Sequence, residues 1–407
     1  MIATTRPGLH GGVFLSVLLL CLGTSALGSG LSLDKWTYIQ VDDKRGKWGD
    51  WNPPDWLRYF GLDMRDVTGD GYKDIVAGRY FYRNPGGDMT GAWPRVTFDL
   101  NVDGMLFVDV DGDEYADVIA EALPDVYWLE AQDRQGDRWK ATKTGTVPKT
   151  DHVNGQGYIL GQIVAGGKPE VILAAGDGTY YLVIPKDPTA GHWPATRIAA
   201  GTMAEGIGVG DIDGDSDIDI AVGKSVGKRE MVMWYENPGD GTADWAGHLV
   251  AYTNFAPDRL CLADINGDKR MDIVVSEERY PGPNPDASLH WFEQPTHPKG
   301  SEWDRHTVIT EYSLNNLDVA DMDRDGDFDI ITCEHKGPTG QFRLQIFEND
   351  GKGRFTEHIA DRGKESHLGA RVADMDNDGD LDIVSAAWDA WSYLHLWRND
   401  SRKGKQP

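Results

Sequence analysis

The nine residues from Asp374 to Asp382 constrain the fold of this chain more than any other stretch. Carboxylates stand at positions 1, 3, 5 and 9 of the loop (Asp374, Asp376, Asp378 and Asp382), and the apolar Ile383 and Val384 follow at once. Side chains at alternate positions converge on one point when so short a loop wraps a hard cation, and oxygen ligands at that density suit Ca²⁺ over softer metals. The loop recurs. Copies start at Asp66, Asp109, Asp211, Asp264, Asp321 and Asp374, at spacings of 43, 102, 53, 57 and 53 residues. The long gap is two periods, so one repeat has lost its loop. That repeat, 157–173, keeps two apolar strands but has only Glu170 near the last ligand position, and a turn without calcium is expected there.

Seven repeats of roughly 50 residues match the size of a four-stranded propeller blade. Two landmarks support this. An aromatic strand ending in a turn follows each loop, as in Phe81–Pro85, Trp234–Pro238 and Trp291–Pro295. A further strand opening on Trp or Phe comes next, at Trp93, Trp139, Trp193, Trp245, Trp303 and Phe355. Alternating apolar residues between Gly, Asn and Pro turns are strand signals, and no amphipathic helix stands out. The last repeat stops at Leu396–Asn399, after its third strand, while Trp36–Ile39 carries the missing fourth-strand pattern. The expected fold is therefore all-β: a seven-bladed β-propeller of four-stranded blades, its ring closed by the N-terminal strand completing the last blade. Such closure protects sheet edges.

The repeated loops resemble those of the VCBS/FG-GAP calcium-binding propellers, which include the head of integrin α chains. The resemblance spans nearly all of the chain beyond its N-terminal segment. It implies Ca²⁺ at up to six structural sites, held by loop positions 1, 3, 5 and 9 and the carbonyl of position 7. The implied side-chain ligands are Asp66, Thr68, Asp70 and Asp74; Asp109, Asp111, Asp113 and Asp117; Asp211, Asp213, Asp215 and Asp219; Asp264, Asn266, Asp268 and Asp272; Asp321, Asp323, Asp325 and Asp329; and Asp374, Asp376, Asp378 and Asp382. Thr68 and Asn266 each bring an uncharged oxygen, so weaker sites are expected there.

Composition narrows the partners. The chain has 407 residues and a formal charge of −26, with 66 acidic against 40 basic side chains. Phosphate backbones demand clustered Lys and Arg, so no nucleic-acid partner is expected. Arg6 and His10 precede an apolar run, Val13 to Leu22, and small residues follow to Gly30. This reads as a secretory signal over 1–28, too short for a membrane span, and hence as a secreted protein with no stable membrane insertion. The propeller is expected over 29–400, with 401–407 a disordered tail. Cys261 and Cys333 lie in apolar strand contexts and read as buried thiols.

The blade topology sorts the connections onto two faces. Asp loops and Asn/Pro turns share one. The connections between second and third strands, and between blades, share the other, which varies most and is where function is sought. His248, His306 and His358 recur at one repeat position and read as structural. His152, His335 and His367 interrupt the repeat and fall on the variable face. His335 and His367 come from neighbouring blades, so they are expected to meet at the axis, with Glu334 and with His152 or Asp389, as a divalent-metal site or as base and acid. Arg79, Lys224 and Glu334 end second strands and are expected to converge on a central funnel, near Arg259 and Tyr280. Trp48, Trp51 and Trp56 form either a packed plug or a sugar-stacking platform.

The chain also resembles the propeller module of aldos-2-ulose dehydratase and, more loosely, seven-bladed polysaccharide lyases. That resemblance implies β-elimination from a sugar. His335 or His367 would be the base. Arg79, Lys224, Arg259 or a metal would stabilise the enolate, and Tyr280 or another histidine would act as acid. A carbohydrate is the expected substrate or ligand. The alternative is a non-catalytic, lectin-like or adhesion propeller, with a protein partner in the latter case.

Overall fold

The computed structural model describes residues 30–402, apart from 52, 114, 301, 339 and 340. The expected secretory segment 1–28 lies outside the described residues. Seven four-stranded antiparallel sheets follow one another around a ring. The innermost strands are Leu62–Arg65, Asp103–Val108, Tyr158–Gly161, Thr202–Gly210, Ala256–Ala263, Leu314–Ala320 and Leu368–Ala373, in blades 1 to 7. The short 3₁₀ turn Trp48–Asp50 is the one helical element among the described residues.

The seventh sheet is the composite one. The N-terminal strand Trp36–Asp42 pairs antiparallel with Leu394–Asn399, with Trp36 opposite Asn399 and Tyr38 opposite Trp397. Around this seam Leu33 is buried. Leu31 N–H donates to the Asp323 carbonyl at 2.7 Å, so the first described residues also cross onto the loop of blade 6. Ser401 bonds the Ser32 carbonyl through its hydroxyl, and Arg402 N–H donates to Asp380 at 3.1 Å.

The core lies between blades rather than within them, because each sheet is apolar on both faces and buries them against its neighbours. One cluster joins Ile265, Leu289 and Trp291 of blade 5 to Leu317, Ile330 and Phe347 of blade 6. The recurrent histidines are part of this packing. His248 stacks on Trp234 and His306 on Trp291, with ring centroids 4.4 and 4.0 Å apart, and each faces a glutamate, Glu236 or Glu293. His358 sits between Glu348 and Asp34. Cys261 and Cys333 are free thiols, the second fully buried.

Every Asp loop is held by its ninth residue. One oxygen of Asp74, Asp117, Asp219, Asp272, Asp329 and Asp382 accepts from the backbone N–H of loop position 2. The other accepts from the backbone at the end of the third strand of the same blade, as from Asn84 to Asp74 and from Asn399 to Asp382. In blade 3, where the loop is lost, Glu170 accepts from Ile163 and Val164 N–H. The carboxylate is kept where the other acidic loop residues are not, because two backbone donors there would otherwise be orphaned.

Candidate functional site

The variable face gathers its chemistry at the axis. His335, just past the second strand of blade 6, and His367, just before the first strand of blade 7, approach to 3.4 Å between ring centroids. Glu278, at the end of the second strand of blade 5, faces His335 with its Oε1 3.7 Å from Nε2. One ligand atom from each of the three lies within 4.8 Å of the others. Both histidines are buried, and Nδ1 of each has no hydrogen-bond partner.

Three successive blades contribute to this site from one repeat position, and His367 joins them from the connection into blade 7. Glu278, His335 and Trp388 each stand six residues after the ninth loop residue of their blade. A second repeat position, six residues before each loop, supplies Gln156, Glu205, Asp258 and Asn315. Arg259 ties these together. It donates to Glu205 at 3.1 Å, Gln156 at 2.8 Å and Asn315 at 3.1 Å, and pairs with Asp258 at 2.9 Å. Both terminal nitrogens of its guanidinium are thus held by the protein. Below it a cavity of about 210 Å³ runs along the inner strands past Tyr158, Asp318 and Arg371.

The protonation pattern follows from burial. Burial drives His335 down, with the His367 and Lys336 charges adding to it, and drives His367 down as well, so both rings are neutral. Glu278 is pushed up to about 7 by burial and by Asp258, against the pull of Arg259. A neutral imidazole pair therefore sits beside a carboxyl that holds its proton more tightly than an ordinary glutamate.

Glu365 organises the wall. Its carboxylate accepts from the backbone N–H of Trp388, Asp389 and Ala390 at 2.9–3.1 Å, and its Oε1 lies 3.6 Å from His367 Nδ1. Trp388, held in that turn, stacks on His367 and on Phe60 and meets His152 edge-on at 6.3 Å. His152 thus joins the site through an aromatic wall, away from the ligand cluster. Trp48 is buried as a plug, whereas Trp51 and Trp56 are 50% and 44% exposed on the rim.

Four expected site residues point elsewhere. Glu334 turns to Arg343, with oxygens 2.9 Å from the guanidinium nitrogens. Arg79 donates to the Phe98 and Asp99 carbonyls, and Lys224 to the Ala200 carbonyl and the Tyr235 hydroxyl. Tyr280 is 75% exposed. The first three end second strands one residue before the position that reaches the axis. Successive strand residues face opposite ways, so a one-residue difference moves a side chain from funnel to seam. Asp389 is held by Lys336 at 3.0 Å.

The Asp loops form the opposite face. Three carboxylates gather within 4.8 Å in four of them, those starting at Asp109, Asp211, Asp321 and Asp374. Buried oxygens of Asp213, Asp321 and Asp374, and the Thr68 hydroxyl, have no partner. Burial and neighbouring carboxylates push Asp376 up to about 6. Burial, partly offset by backbone hydrogen bonds, pushes Asp382 up to about 8. Clustered acceptors with orphaned oxygens fit a divalent hard cation.

A sequence pattern for the FG-GAP-like repeat matches residues 336–385, the stretch from the end of the second strand of blade 6 into the second strand of blade 7. No curated protein matches the chain. Among solved structures, BBS1N in complex with ARL6DN aligns with a TM-score of 0.51 at 11% identity, over 90% of this chain and 96% of that one. An Agrocybe aegerita lectin, described for recognition of non-reducing terminal N-acetylglucosamine, aligns with a TM-score of 0.49 at 17% identity, over 81% and 90%. The V. cholerae biofilm matrix protein Bap1 aligns at 0.41 and 10% identity, over 92% of each chain. The first of these agrees with the propeller architecture.

Proposed function

We propose that this is an exported propeller, stapled by calcium in its Asp loops, that acts on carbohydrate by β-elimination at the axial cluster. The observation that carries the reading is the convergence of His335, His367 and Glu278. Neutral His367, with Glu365 beside its Nδ1 to stabilise the imidazolium, takes the proton α to a substrate carbonyl or carboxylate. The carbon–oxygen bond at the β position breaks and a carbon–carbon double bond forms. Glu278, whose carboxyl burial and Asp258 keep more readily protonated, gives the leaving oxygen its proton. The exposed Trp51 and Trp56 offer apolar ring faces for sugar at the rim.

Held as ligands in place of base and acid, the same three side chains would carry a divalent cation of the zinc class, since two imidazoles and a carboxylate are its usual donors. It would supply Lewis-acid polarisation of the substrate carbonyl.

Purified protein incubated with acidic polysaccharides and keto-sugars should generate the ultraviolet absorbance of a conjugated double bond. His367→Ala should abolish it. No product across the panel, with and without added Zn²⁺, overturns the elimination. Saturable saccharide binding without product would leave a lectin-like or adhesion propeller.

A further inference from the structure

Where blade 5 meets blade 6, three glutamates share one guanidinium. Glu311 ends the outer strand of blade 5, Asp304–Glu311, while Glu334, Arg343 and Glu357 lie on the second, third and outer strands of blade 6. Arg343 grips Glu334 with Nε and Nη2, both at 2.9 Å. It also bonds Glu311 Oε2 through Nη2 and reaches Glu357 at 3.3 Å. Gln345 donates to the two flanking acids, to Glu311 Oε2 at 3.2 Å and to Glu357 at 2.9 Å. Glu311, Glu334 and Gln345 are buried.

Two acceptors are left over. Oε1 of Glu311 and Oε1 of Gln345 are buried and meet no donor. Their side chains are already joined through their other atoms, so one proton on Glu311 Oε1 would close a second bond to that amide and satisfy both. Turning the amide over gives no relief, because its nitrogen also serves Glu357 and its oxygen would then face two carboxylates. Burial pushes the Glu311 carboxyl up to about 7, with Glu334 and Glu357 adding to it against Arg343 and Gln345. Ala287, opposite Glu311 in its own sheet, brings no charge, and Arg362, opposite Arg343, is exposed.

Both attachments of His335 run into this knot. Its backbone N–H donates at 2.6 Å to the carbonyl of Ser313, two residues beyond Glu311, and its neighbour in the chain is Glu334. We propose that Glu311 holds a proton in the folded protein and that this proton is a latch across the seam, which keeps His335 in place and lets it loosen when the proton leaves for solvent in alkali. An ionised Glu311 would set two buried carboxylates on one guanidinium, and their repulsion would push Glu334 away from the connection at Ser313. The latch acts on the axial cluster of the proposed function but is tested without product, so it stands or falls separately from the elimination. The folded chain holds this proton more tightly than an unfolded glutamate, at about 4.3, so the stability it lends is whole below that pH and is lost as pH rises through about 7.

The full chain, as wild type and as Glu311→Gln, would be unfolded in urea with EDTA at about pH 5.5 and about pH 8.5. Glu311→Gln is neutral at both, so its midpoint should match the wild type in acid and exceed it in alkali. Infrared difference spectra, wild type minus variant, should show a protonated-carboxyl band in acid that vanishes in alkali. The His335 ring resonances should broaden in alkali in the wild type and stay sharp in Glu311→Gln. Glu357→Gln, at the exposed edge, should move the wild-type step to lower pH, because it removes a charge that favours the proton. A Glu311→Gln midpoint that tracks the wild type at both pH values overturns the proposal, and so does a difference spectrum without the carboxyl band. His335 resonances that respond alike in both proteins overturn the latch even where the proton is found.

Discussion

Asn349, in the turn of blade 6, donates its side-chain N–H to the Ile265 carbonyl of the blade 5 loop at 2.8 Å. The same amide also donates to Phe328 within its own blade. Asn84 reaches Met375 in the same way, Asn237 reaches Ile163, and Gln294 reaches Ile212. The recurrent Asn or Gln of the turn is thus a latch from each of these blades to the loop of the one before. In blade 7 the equivalent Asn399 amide has no such partner.

Asn349→Ala should therefore cost about 1–3 kcal/mol, since it orphans the buried Ile265 carbonyl and removes the bond to Phe328. Asn399→Ala should cost less at the same repeat position. Urea unfolding of the two variants side by side measures the difference.

The ninth loop residue should separate scaffold from ligand. Asp382 accepts from Met375 and Asn399 N–H, so Asp382→Asn removes an acceptor the backbone needs. It should melt below the wild type even in EDTA. Asp376→Asn keeps an oxygen for Asp378 N–H. It should match the wild type in EDTA and fall behind only when Ca²⁺ is added, with one fewer ion bound by calorimetry.

The buried histidines set a pH dependence. Both are held below their unfolded value of about 6.5, so the unfolded chain binds the extra protons. The stability they leave intact above about pH 6.5 is lost progressively as pH falls below it. The raised Asp carboxyls act the other way, so the contrast must be made against a variant. In EDTA, wild type should lose more stability between pH 7 and 5 than His335→Gln, by about 1 kcal/mol or more.

Glu365→Ala should free the turn that carries Trp388, leaving three backbone N–H groups without their acceptor. Near-ultraviolet circular dichroism should lose tryptophan signal, and elimination should fall at least tenfold. Glu365→Gln retains one acceptor oxygen and should recover part of both.

The ring was legible because a repeat multiplies its own signal: each Asp loop fixes the register of its blade, and the unmatched Trp36 and Asn399 ends fall into one sheet. The meeting of His335 and His367 was legible too, since both break the repeat in adjacent blades. Glu278 was not singled out. Its neighbour Glu277 is equally charged, and parity alone decides which of the two reaches the axis. Glu277 is fully buried and accepts from Asn254 and Ser288 N–H instead. Nor does spacing reveal how Arg259 is held, because its side-chain partners Gln156, Glu205 and Asn315 come from three other blades.

The strand Trp36–Asp42 is made early and used late. As the chain emerges from N- to C-terminus, blades 1 to 6 can form in order, yet this strand has no partner until Leu394–Asn399 arrives. Until then the growing solenoid has an open rim at each end. This pairing spans nearly the whole chain, and it turns a row of sheets into a closed body in which every blade has two neighbours. Closing so long a loop costs little more entropy than closing one half its length, about 0.6 kcal/mol per doubling. What the closing strand sets is therefore timing: it dates the moment at which the molecule acquires an inside.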